Sequence, residues 1–534
     1  MRTSQASSLS RPSRARRTGR FLLISLPIVL LLGLLFSFLR PLWNRSDVSH
    51  PVASSVRALS AMSEEGNPAA MPGHAVTPTT TPATTPTPSP TTTSTTTSTP
   101  ANQVNIPHYA GSLNVPCTDV TAPFNQTAIF WFGSVSSSSD YVDVRVAYSD
   151  SYLFISLNII DRYVWYDSHA SSPNLSIGDT ATLYLDTNPG GSSAPEKTAY
   201  KFLAQVDNGQ PRANYQRAYQ GNGSGWSVSS TAFTTCSGWR GTTINGGDDA
   251  GWSMTYEIPF SSLGRSAAPA QGNAWRLALA VQNQDNASAN PLVVTWWPQA
   301  AQGTTSMSWG QLVYGLPVYR PSQTTGATTY TIRNGVNNQV VTDGMVGGGL
   351  GCYGLNQGSF RWTYWATKNW AGSTRADIAN QSDVSDWECF TKYYITIPLS
   401  SLPHGKGVVS AKITLYETGN MGQNGLPGPN PSNVEVATVD QAWSASTIDW
   451  NNAPPVGEII SMTTVNLYVQ APLPGNAYTW DVSAAVANAY ASGQPLRLVF
   501  YSTGALRHSG KYFTTSYQPS WDIEGRPALQ VTLG

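Results

Sequence analysis

The residues best placed to do chemistry in this chain are its aromatic rings. Tyr163, Trp165 and Tyr166 directly follow a strand-like run. Trp226 and Trp239 lie in Gly/Ser-rich stretches. Trp296 and Trp297 are adjacent, so in a strand one of the pair must face away from the core. Between Cys352 and Cys389, Trp362, Tyr364, Trp365, Trp370 and Trp387 stand among Gly, Asn, Ser and Thr. Sugars present apolar C–H faces and hydroxyl edges. Flat rings in water-facing loops cover the first, and nearby amides and carboxylates bond the second. Trp165, Tyr166 and Trp239 are therefore sugar-contact candidates in the first half, and Trp362, Trp365 and Trp370 in the second. With 18 Trp in the chain, at least half are expected to be structural.

Catalytic motifs are missing from the sequence. It contains no H-E-x-x-H, no G-x-S-x-G and no P-loop, and its six His are scattered. Gly349–Gly354 fits G-x-G-x-x-G, but without a strand–helix context it reads as a Gly-rich turn. Asp161, Asp167, Asp179, Asp186 and Glu257 could supply a glycosidase carboxylate pair. The alternative is that such turn and strand-end acids hold backbone donors or chelate calcium. No cofactor is expected, a structural calcium is the one metal considered, and its ligands stay unassigned. Cys117, Cys236, Cys352 and Cys389 form no C-x-x-C pair. Two fall in each half, so Cys117–Cys236 and Cys352–Cys389 are the economical disulfides.

The elements that would position these groups are short strands. Val142, Val144, Val146 and Tyr148 alternate with polar or small residues, Ser149-Asp150-Ser151 makes a turn, and Leu153, Ile155, Leu157 and Ile159 alternate again. This predicts a half-buried β-hairpin. Trp275–Val281, Leu292–Trp296, Lys392–Pro398, Ala411–Tyr416, Val434–Val439, Leu496–Tyr501 and Leu529–Leu533 read as further strands. One helix is expected over Asp481–Ser492, with Asp481 as N-cap and Gly493 at its end. The fold class is all-β, two tandem jelly-roll-like β-sandwiches.

Charge divides the chain. Residues 1–45 carry 8 Arg and no acid, leaving 22 basic and 30 acidic residues beyond them. The basic segment 1–20 precedes an uncharged run, Phe21–Leu39, long enough to span a bilayer as a helix. The positive-inside rule places the remainder outside, as a signal anchor or, if cleaved, a secreted protein. Residues 40–103 form a linker with a Thr/Pro stalk over 77–100, which cannot build a core. Two sandwiches follow, 104–316 and 330–534, joined by 317–329. Only 11% of residues are charged and no basic excess exists overall. That excludes nucleic acid as a partner and leaves a surface suited to neutral polysaccharide or cell-wall glycan.

Residues 142–164, 178–188 (GDTATLYLDTN), 251–264, 275–284 (WRLALAVQNQ), 296–298 (WWP) and 309–315 occur in the order of the family 9 carbohydrate-binding modules, a DOMON-like sandwich group, which the first half resembles. The resemblance implies two rings gripping a sugar, matched by position to Trp165 and Trp297. Gln282 and Asn283 stand where many relatives carry Arg. In the second half, residues 392–417, WSASTIDWNNAPPVG (443–457), WDVSAAVANAYASG (480–493) and RPALQVTL (526–533) resemble a DNRLRE-type domain, related to family 96 carbohydrate-binding modules. The expectation is a non-catalytic, membrane-anchored glycan-binding protein. The alternatives are a surface adhesion protein without sugar affinity and a glycan-degrading enzyme.

Overall fold

The computed structural model describes residues 102–534, except 110–125, 289–291, 350–361, 363, 382–383, 423–427 and 505. Phe21–Leu39 and the Thr/Pro stalk lie outside the described residues. Among those described, no helix is long and apolar enough to cross a membrane.

The described residues are almost all β, in four sheets. An eight-stranded sheet holds β1 (Gln103–Ile106), β5 (Thr180–Asp186), β6 (Ala199–Gln205), β7 (Gln216–Gly221), β8 (Trp226–Ser229), β11 (Ala274–Asn283), β12 (Val293–Trp297) and β13 (Gly310–Tyr314). A five-stranded sheet holds β2 (Ala128–Gly133), β3 (Tyr141–Tyr148), β4 (Tyr152–Ile160), β9 (Thr234–Gly241) and β10 (Asp249–Pro259). Ala181, Leu183 and Leu185 from the larger sheet meet Val142, Val144 and Ile155 from the smaller in one core. Burying these alternating apolar residues is what drives the two sheets together.

The second half repeats the plan. One sheet holds β14 (Thr328–Arg333), β16 (Arg375–Ile378), β18 (Val408–Asn420), β21 (Asn476–Asp481), β23 (Lys511–Thr514) and β24 (Ala528–Leu533). The other holds β15 (Thr342–Gly347), β17 (Thr391–Ile397), β19 (Ser432–Thr438), β20 (Ile459–Val465) and β22 (Leu496–Ser502). Among the described residues the one α-helix of more than one turn is α1 (Ser483–Ala491); its N-cap is Val482 rather than the expected Asp481, which ends β21 and accepts from Ser483 N–H at 2.9 Å. Its chain reverses at Gly493, φ 65°.

The β3–β4 hairpin has the expected register, Val142 opposite Ile159, but it is not half-buried. Every residue of β3 is buried. Asp143 and Arg145, polar residues that alternation assigns to solvent, face the second sandwich instead. Both sandwiches lie within one compact unit, Thr92–Gly534, and the buried cluster around β2 and β3 continues into Trp365, Trp387, Trp450 and Tyr501.

At this junction Lys392 of β17 is fully buried. Its ammonium lies 3.4 Å from the Trp450 ring centroid, 4.0 Å from Trp131, 4.7 Å from Tyr141 and 4.8 Å from Tyr501. It donates to the Tyr141 hydroxyl. Tyr141 donates to Asp143 at 2.9 Å, and Tyr501 and Asn380 donate to the other Asp143 oxygen at 2.7 and 2.9 Å. Arg145 donates to the carbonyls of Thr503 and Gly504, and Ile129 N–H to Glu435 at 2.8 Å. Asn451 exchanges two hydrogen bonds with the backbone of Val135. Buried polar groups need partners. Here each sandwich supplies them to the other.

Candidate functional site

The adjacent pair Trp296–Trp297 is settled by its register on β11. Trp297 lies opposite Leu279, an inward residue, and Trp296 opposite Ala280, an outward one. Trp297 is 7% exposed and packs on Phe130, ring centroids 4.4 Å apart. It offers a sugar no face, which corrects its expected role. Trp296 is the ring that faces out, half-exposed.

Around Trp296 an aromatic platform covers the outward face of the eight-stranded sheet. Its hub is Tyr184 on β5. Trp296 stacks on Tyr184 at 5.5 Å and 28°, while Trp309 and Trp226 tilt against it at 5.5 and 5.9 Å. Trp226 is fixed by its indole N–H on the Gly303 carbonyl, 2.8 Å. Gly303 leaves room for the hub: a Cβ there would lie 2.9 Å from the Tyr184 hydroxyl. Burial pushes the Tyr184 phenol up to about 12, so it stays neutral. Tyr184, Lys201, Tyr219 and Val228 lie in one cross-strand row over β5, β6, β7 and β8. At ~4.8 Å between strands, the row spans ~14 Å, the length of a short oligosaccharide. Val228 is 70% exposed, and Val293 and Val294 beside Trp296 are exposed too. The apolar rows alone do not distinguish such a platform from an ordinary sheet face. The adjacency of Trp296 and Trp297 was the one signal of it in the sequence.

The remaining sequence candidates fall elsewhere. Trp165 and Tyr166 are half-buried in the loop after β4. Trp165 N–H donates to Asp179 at 2.6 Å, and Tyr166 exchanges backbone bonds with Asn245. Gln282 lies near them, but its amide nitrogen donates to the carbonyls of Ser176 and Gly178. Asn283 is 4% exposed. Of the two, Gln282 is the one that fastens the loop after β4. Trp239 is partly buried against the core. Trp362 and Trp365 are buried, 4.5 to 5.0 Å from Trp387 or Trp450. Their Gly/Ser/Asn-rich context predicted exposure, and packing on Trp387 and Trp450 of the same sandwich removes it. Trp370 stays half-exposed with the Lys368 ammonium 5.0 Å from its ring. A cavity of about 100 Å³ in the second sandwich is lined by Arg375, Asn380, Gln381, Met421, His508 and Tyr512, among others.

The four Asp considered for catalysis or calcium are engaged by the backbone. Asp161 accepts from Tyr163 N–H, Asp167 from His169 and Asn174, and Asp186 from Asn188 and the Ser306 hydroxyl. Asp179 accepts from Trp165 and Gln284. Among the described residues, no group of three or more His, Cys, Asp or Glu is placed to hold a metal ion. Strand ends nevertheless crowd five carboxyls together. Burial, with Asp285 and Asp249 adding repulsion, pushes Asp161 up to about 8. Burial and Asp161 raise both Asp140 and Asp179. The expected Cys117–Cys236 bridge is not formed, because Cys236 carries no disulfide; Cys117 lies outside the described residues. Cys389 is disulfide-bonded, while Cys352 also lies outside them.

No match was found among curated proteins. Among solved structures, the chain is similar to a carbohydrate binding module family 9 from Caldicellulosiruptor kristjanssonii in complex with cellotriose. Identity is 11%, coverage 41% of this chain and 100% of that one, and the TM-score 0.27. The same comparison returns a family 9 module from that organism in complex with glucose, at 9% identity, 42% and 99% coverage and a TM-score of 0.27. Residues 362–520 match the family model of carbohydrate-binding module family 96, the family that the strand and helix motifs of the second half resemble.

Proposed function

We propose that this is a non-catalytic, extracellular glycan-binding protein, anchored to the plasma membrane through Phe21–Leu39, that holds a polysaccharide on the outward face of its first sandwich. The observation that carries the proposal is Trp296, half-exposed and stacked on Tyr184 on the outward face of the sheet. A ring fixed by a second ring loses little conformational freedom when a sugar stacks on it. Lys201 on the same face, half-buried between the Tyr184 and Tyr219 rings, supplies a donor for hydroxyls. The family match of residues 362–520 supports the same ligand class for the second sandwich. Two weak sites on one body would bind a polymer more tightly than either alone.

A second reading, an adhesion or structural protein without sugar affinity, is favoured by the burial of Trp297, Trp362 and Trp365. A glycan array probed with the wild type, Trp296→Ala and Trp165→Ala separates the two. The proposal expects retention that Trp296→Ala abolishes and Trp165→Ala preserves. Wild type retained on no glycan supports the second reading.

A further inference from the structure

Lys201 occupies the centre of the platform row. Its ammonium stands 5.7 Å from the Tyr184 ring centroid and 5.0 Å from that of Tyr219, its neighbours on either side by strand register. It is half-buried. Among the described residues no carboxylate comes within ion-pair distance of it. The chain has only seven Lys, and the buried ones are provided for. Lys511 has Glu417 at 4.0 Å, and Lys392 has its four rings and the Tyr141–Asp143 relay. Ring faces return only part of what an ammonium loses when it leaves water.

Neutral hydroxyls need no charge at this position, since uncharged donors and acceptors serve them equally. An ammonium differs from an amide in making charge-assisted bonds, which are shorter and roughly twice as strong as neutral ones. We infer that the platform selects acidic sugars, with Lys201 pairing with the carboxylate of a hexuronate residue while Trp296 and Trp226 hold the faces of its neighbours. The inference rests on the platform being the glycan site. Burial holds the Lys201 ammonium below the usual lysine range, and an arriving carboxylate favours its charged form. The acidic exterior beyond residue 45 opposes such a ligand only near its own charges, because the Debye length is ~8 Å at physiological ionic strength. The uncharged surface that suggested a neutral glycan describes the whole exterior and not this row.

The test uses the full chain in detergent micelles and oligomers of galacturonate, glucuronate and mannuronate, each beside its carboxyl-reduced, neutral counterpart. The wild type is expected to bind at least one uronate oligomer about tenfold or more tightly than its reduced counterpart. Lys201→Gln should erase that preference while binding of the reduced oligomer persists, and Lys201→Arg should keep it. Equal or tighter binding of the neutral oligomers, or an unchanged ratio in Lys201→Gln, overturns the charge selection while the platform stands. No binding of any oligomer, charged or neutral, overturns the platform reading with it. Unchanged melting temperatures of both variants establish that they fold.

Discussion

At the scale of single residues, the decisive feature is where charge is buried. Lys392 sits fully buried among four rings, and burial holds its ammonium well below the usual lysine range. A cation–π contact strengthens when desolvated, to about 2 kcal/mol or more. Removing one member of a buried charged network leaves its partners uncompensated. Lys392→Ala should therefore lower the free energy of unfolding by about 3–5 kcal/mol, read by urea denaturation. Lys392→Met, which keeps the stem among the rings, should cost less. A loss below about 1 kcal/mol for Lys392→Ala would mean the cage contributes little. Neither Lys392 nor Asp143 was legible in the sequence, because each reads as the solvent side of an alternating strand. What buries them is another sandwich, far away in the chain. Trp296 was half legible. Adjacency dictates that one of the two rings points outward, but the register on β11 dictates which, and a two-residue period has no phase until a partner strand fixes it.

At the scale of elements, strand ends set the chemistry of the carboxyl cluster. Asp140 precedes β3, Asp161 follows β4, Asp179 precedes β5 and Asp285 follows β11, and pairing brings these ends together. Asp161 has its ordinary value near 3.8 in the unfolded chain and is pushed up to about 8 in the folded one. The folded state thus binds the extra proton, and this contribution to stability is full below pH ~4 and lost as pH rises through about 8. Asp161→Asn keeps the acceptor for Tyr163 N–H and removes the titration. The wild-type melting temperature should fall more steeply than the variant's between pH 4 and 8 in calorimetry. Parallel curves would contradict the coupling. The strands and α1 themselves were legible, since alternation and the Asp481–Gly493 signals are local. The loop after β4 was not: the Trp165 backbone N–H and the Gln282 amide are spent on closing it.

At the scale of the molecule, the two sandwiches are one body. Glu435 takes the Ile129 N–H, Arg145 takes carbonyls at 503 and 504, and Asn451 braces Val135. Cutting between them would strand these groups without partners, at about 1–3 kcal/mol each. The described unit should unfold in a single calorimetric transition, and two separated transitions would show that the halves are independent. A rigid pair presents the platform at a fixed distance from whatever the second sandwich binds, which suits a polymer better than a small sugar. The most direct test of glycan binding at the outward face is titration calorimetry of the full chain with the oligosaccharide that an array selects. The account predicts measurable affinity that Trp296→Ala weakens about tenfold or more and Trp165→Ala leaves within a factor of about two. Affinity unchanged in Trp296→Ala, or lost only in Trp165→Ala, would contradict it.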